Sequence, residues 1–214
     1  MKPERLIGYY QAAARKTFDA FCNNCAHPDA YASWIAHTYA YVTYTAPTMR
    51  GVAINCTDQD LRSLLNFKAN EEMDHDEMVL ADLLHLGFEL PDFTISPQIQ
   101  RLIEITKAIP NQHDYALSDL VGHMIVLEVM HPSAKDIAGI ASNFGIPVQA
   151  TTAFRVHSEL DTEHSVAVSA LLNHDSVSRN RAFTSSVRVL QLFRDHWLWM
   201  TDAHRTSHGS ITNQ

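Results

Sequence analysis

Long stretches of the chain repeat apolar residues with the three-to-four-residue spacing of a helix, and Gly and Pro, seven and eight in number, cluster between them. The pattern predicts an all-α fold. Helices are expected at about 3–26, 28–46 or onward to 55, 57–87, 96–108, 113–131, 133–144, 148–174 and 177–205, with ends uncertain by about 2–4 residues. The breaks fall at His27-Pro28, around Gly87 and Pro91, at Ser96-Pro97, at Pro110 and at Gly145-Ile146-Pro147. Thr57-Asp58-Gln59-Asp60 offers an N-cap and early acidic residues to the third helix. Pro132 predicts that the fifth helix bends or ends near His131, because a proline inside a helix forfeits a hydrogen bond.

On this scaffold one polar stripe stands out. His157-x-x-x-Asp161-x-x-His164 lies in FRVHSELDTEHSVAVSALL, a run without Gly or Pro. At about 100° per residue, positions i, i+4 and i+7 share a narrow helix face, so two imidazoles and a carboxylate would point at one spot. On the third helix, Glu72-x-x-His75 sets a carboxylate and an imidazole about 60° apart, with Glu71 as a competing donor. On the fifth, Glu128 interrupts an apolar run between Leu127 and Val129, a costly burial unless a cation meets it.

Three acidic side chains and three histidines from three long helices suit a di-iron or di-manganese carboxylate site. Carboxylates bridge and neutralise two divalent ions, and imidazoles complete each coordination sphere. The bland alternatives are a solvated Glu-x-x-His face, a surface His/Asp ion pair, and a Glu128 paired with Arg or Lys. Their joint occurrence favours the metal.

Composition narrows the function without naming it. A chain of 214 residues with 46% apolar residues is read as one domain spanning 1–214, with 205–214 as a polar tail. Sixteen Lys and Arg against 24 Asp and Glu give a net charge of −8, which argues against a nucleic-acid groove or an anionic membrane surface. The N-terminus lacks a signal-peptide pattern and no run spans a membrane, so a cytoplasmic protein is expected, with a small molecule as its partner. Cys22, Cys25 and Cys56 make no disulfide framework, and Cys22-Asn-Asn-Cys25 reads as ordinary thiols in a helix.

The order of the ligands separates two helical scaffolds. A ferritin-like bundle, as in a ferroxidase, would need a bridging Glu from residues 28–55, where Asp29 is the single acidic residue, and would leave the His/Asp/His stripe idle. The order found here is Glu and His on one helix, Glu about fifty residues later in Leu127-Glu128, then HSELDTEH. It resembles the haem-oxygenase-like di-iron oxidases over nearly the whole chain, including Glu71-Glu72-x-x-His75 and the DEMVLADLLHLG that follows.

The resemblance implies a helical bundle of about seven to eight helices, similar in fold to haem oxygenase, thiaminase II and PqqC-like proteins. It implies Glu72, His75, Glu128, His157, Asp161 and His164 as ligands of two Fe(II), with Mn as the substitute. Dioxygen would be the co-substrate, oxidising a small amino-acid derivative or fatty acid by decarboxylation, C–C cleavage, N-oxygenation or desaturation. An external electron donor and a homodimer are further expectations. Some members take the first carboxylate seven residues before the first histidine, where this chain has Lys68; its ammonium would steer a substrate carboxylate, pair with a metal-bound acid, or lie at the surface.

His37, Tyr41 and Tyr44 share a face and would line a substrate cavity or pack as core. His131 is an alternative ligand and His123 is expected to be structural. A haem enzyme would need a histidine in residues 3–26, which hold none, and a metal-free thiaminase would leave the ligand set without a purpose.

Overall fold

The computed structural model describes the backbone of residues 3–130 and 134–209, and their side chains except at 3–7, 128–130, 134–135, 159–166 and 206–209. Among these residues every regular element is helical. The elements are α1 (Pro3–Asn24), α2 (Pro28–Val42), α3 (Thr45–Ile54), α4 (Gln59–Glu71), α5 (His75–His85), α6 (Pro97–Ala108), α7 (Ala116–Met130), α8 (Ala134–Phe144), α9 (Thr152–Leu172) and α10 (Arg179–Gly209). Two of the expected helices are each divided. The second breaks at Thr43–Tyr44 and the third at Glu72–Asp74, in neither case at a glycine or proline.

Local chemistry accounts for most boundaries. Proline occupies the first turn of α2 and α6, where its missing N–H is harmless. The Asp58 side chain accepts from the Asp60 and Leu61 amides at 2.9 and 3.0 Å, which caps α4 as the sequence suggested. Ser96 does the same for α6 through the Ile99 amide. Gly145, with φ +65°, ends α8 in the left-handed region open to glycine.

The long α10 runs along α1, α6 and α7, while α9 packs against α5 and α7. At the α7–α10 crossing, Gly122 lets the backbones touch: a Cβ there would sit 2.2 Å from the Ala182 carbonyl oxygen. Ser186 Oγ donates to the Gly122 carbonyl at 2.8 Å, and Arg181 grips Asp119 with two 2.6 Å contacts. An aromatic cluster of Phe18, Phe21, Tyr31, Trp34, Phe154 and Trp197 fills the end of the bundle bounded by α1, α2 and α10. This packing fixes where α5, α7 and α9 face one another.

Candidate metal centre

The metal-type cluster forms where α4 gives way to α5. Glu72 is the residue on which α4 ends, and His75 is the first residue of α5. Between them Asp74 adopts φ +68°, a left-handed conformation that Asp tolerates better than most residues. The motif therefore sits on a turn and not on a continuous helix face. The turn still brings the pair together: the His75 Nδ1–H donates to Glu72 Oε2 at 3.0 Å. From α9, His157 completes the set, its ring centroid 4.3 Å from that of His75. Donor atoms of Glu72, His75 and His157 all lie within 4.8 Å of one another.

Burial makes this arrangement meaningful. The side chains of His75 and Glu72 are 5% and 9% exposed, and His157 is buried. A carboxylate and two imidazoles shielded from water are donors of the kind that divalent iron takes. The donor set fits the metal that the sequence reading implied.

A second contact fixes the helices that carry the two histidines. Asp82 stands seven residues after His75 on α5, and Ala153 four residues before His157 on α9. The Asp82 carboxylate accepts the Ala153 amide at 2.9 Å, tying α5 to the start of α9. Burial raises the Asp82 pKa, and the backbone bonds it accepts from Ala153 and Thr152 oppose that shift. Sequence reading did not single out Asp82; an acidic residue in the apolar run VLADLL was the available signal.

Other expected site residues fall in different places. Lys68 is 1% exposed, far from a surface position, and its Nζ lies 2.7 Å from Glu71 Oε2. Tyr41 lines a small, partly open cavity of about 20 Å³ together with Met49, Glu72, Met124, Leu127 and His157. Its phenol is pushed up to about 12 by burial, so it stays protonated. Tyr44 lines a separate, open groove of about 380 Å³ with Tyr39, Leu90, Ile95 and Ile103, and Lys107 lies over its ring.

His37 is buried with both ring nitrogens engaged, Nδ1 with the Ser33 carbonyl at 2.6 Å and Nε2 accepting the Ser96 amide at 2.9 Å. It packs on His196 and Trp199, which makes it a structural imidazole. His123 is likewise buried, 3.4 Å from Thr106 Oγ1. The side chains of Glu128, Asp161 and His164, and all of His131 and Pro132, lie outside the described residues. Glu128 belongs to α7 and the other two ligand candidates to α9, helices that pack on each other. Cys22, Cys25 and Cys56 are free thiols, and burial raises the pKa of each.

A family model described as iron-containing redox enzyme matches residues 32–193, a span that holds the whole cluster. The chain belongs to this family. A crystal structure from Shewanella denitrificans, of a domain of unknown function with a heme oxygenase-like fold, superposes with a TM-score of 0.72 at 19% identity. The superposition covers 98% of this chain and 93% of that one. It establishes the haem-oxygenase-like fold. No curated protein matches. For an iron-containing redox enzyme, Glu72, His75 and His157 are the described residues suited to hold iron.

Proposed function

We propose that this chain is a non-haem di-iron oxidase or oxygenase that uses dioxygen to oxidise a small organic substrate. The observation that carries the reading is the convergence of Glu72, His75 and His157 within 4.8 Å, the two imidazoles buried and the carboxylate largely so, from the α4–α5 turn and the distant α9. Glu128 on α7, and Asp161 and His164 further along α9, are the proposed donors for the second ion. Bound iron would supply one-electron redox chemistry and a binding site for dioxygen.

The protein's own part is positional. Glu72 and His75 are presented by a turn, and His157 is held opposite by the Asp82–Ala153 tie. The Met49, Met124 and Leu127 side chains keep bulk water from the cluster, and the adjoining cavity has room for about one water-sized molecule. That space suits a diatomic gas and is too small for an amino-acid derivative or a fatty acid, whose pockets run to about 300 Å³ or more. The open groove lies on the other side of the same stretch, since Tyr41 and Thr45 line the cavity while Tyr39, Thr43 and Tyr44 line the groove.

The test is anaerobic Fe(II) titration followed by oxygen exposure. Two irons per chain are expected, with oxygen uptake that quickens when a substrate is added and a modified organic product is released. His157→Ala is expected to abolish tight iron binding; a variant that keeps two irons per chain would refute the site. A ferroxidase would instead consume oxygen with Fe(II) alone and assemble into a shell, whereas a homodimer is proposed here.

A further inference from the structure

Glu71 and Glu72 are adjacent, and Lys68 can reach both, at i+3 and i+4 along α4. The structure divides them. Glu71 Oε2 lies 2.7 Å from the Lys68 ammonium, and Glu72 Oε2 lies 3.0 Å from His75 Nδ1. Lys68 is 1% exposed, so its charge has no water to spread into and depends on a neighbouring carboxylate. The contact with Glu71 is a charge pairing whose angles fall short of a hydrogen bond, so the ammonium keeps donors to spare. An ammonium in that condition is drawn to whichever carboxylate is left charged beside it.

We propose that Lys68 and Glu71 form an internal charge pair that reserves Glu72 for the metal: Lys68 is a positioning residue and Glu71 its counter-ion, not a ligand. This rests on the iron-site reading above. Two consequences follow from the charges. Neutralising Glu71 frees Lys68 to turn to Glu72, which places a cation where iron must bind and removes its carboxylate. Neutralising Lys68 releases Glu71, a second glutamate one position from Glu72, to compete for the metal. Neutralising both leaves Glu72 with His75 and His157, as in the wild type.

The experiment measures Co(II) and Fe(II) affinity anaerobically, with the Co(II) absorption spectrum as a report on the donor set. Wild type, Glu71→Gln, Lys68→Met, Lys68→Arg and the Lys68→Met/Glu71→Gln double variant are compared, each checked by circular dichroism. Glu71→Gln should weaken binding roughly 10- to 100-fold, the range for partners that orient metal ligands. Lys68→Met should alter the Co(II) spectrum, and Lys68→Arg should retain the wild-type one. The double variant should return affinity to within about threefold of wild type, because opposite losses in one pair cancel.

Wild-type affinity in Glu71→Gln overturns the pair. A double variant as weak as Glu71→Gln also overturns it, and makes Glu71 a ligand. Lys68→Met with an unchanged Co(II) spectrum and wild-type affinity overturns it, since Glu71 then does not compete for the metal once its counter-ion is gone. A wild type that binds neither ion overturns the iron-site reading and the pair with it, a result distinct from the other three.

Discussion

Individual buried imidazoles show how much one position costs and what it contributes. His123 has its pKa pushed down to about 4 by burial. His196 and His37 move the same way, His196 by burial and then by the neighbouring His37, and His37 by burial against a partly opposing bond to the Ser33 carbonyl. A lowered folded-state pKa means that the unfolded chain binds protons first. The stability these groups carry is complete above about pH 6.5 and is lost as the pH falls toward 4. In metal-free protein, urea unfolding at pH 7 and pH 4.5 should show this loss, and His123→Gln should reduce it by on the order of 2 kcal/mol. An equal loss in that variant would mean that other groups govern the acid limb. The sequence pattern marks His123 as structural and leaves His37 between cavity and core, because a helix face does not reveal that Ser96 arrives from another element to occupy the second nitrogen.

At the level of elements, the divided third helix is the instructive departure. Its apolar spacing runs through residues 57–87 and predicts Glu72 and His75 on one face of a helix. The chain turns at Glu72–Asp74 instead, with Asp74 left-handed, and the acid and imidazole meet across the turn. Asp74 was the available signal, weak because Asp is also common on helix faces. The tie from Asp82 to Ala153 then fixes α5 against α9. Asp82→Ala leaves a buried amide unpaired, so it is expected to cost about 1–3 kcal/mol in urea unfolding and to weaken iron binding. Full retention of iron affinity would show that the helices hold their register without it. Where α7 crosses α10, Gly122→Ala forces a methyl against the Ala182 carbonyl. A destabilisation of about 1–3 kcal/mol is expected, and an unchanged unfolding midpoint would show that α10 can yield.

For the whole molecule, iron is expected to act as a brace, because the cluster joins Glu72 and His75 at the α4–α5 turn to His157 on α9, more than eighty residues further along the chain. A ligand that binds the folded chain alone, held at 100 times its dissociation constant, adds about 2.7 kcal/mol. For a chain of this length that corresponds to a rise in Tm of roughly 5–10 °C. Differential scanning calorimetry of anaerobic protein with and without Fe(II) checks it, and a shift that persists in His157→Ala would place the metal elsewhere. Among the described residues no helix is long and apolar enough to cross a membrane.

What the sequence determined by itself is the helical class, most helix boundaries, and the residue types of the Glu72, His75 and His157 cluster. These follow from local rules: apolar periodicity, a cap at Asp58, a break at Ser96-Pro97, and the cost of burying acids and imidazoles without a partner. Only the tertiary structure decided which neighbours those side chains meet. Glu71 and Glu72 have the same chemistry, and Lys68 can reach both. The fold buries the ammonium against one and turns the other toward His75 and His157. A turn without glycine and a helix arriving from residue 152 onward set that choice, and both depend on packing between distant segments that no local pattern encodes.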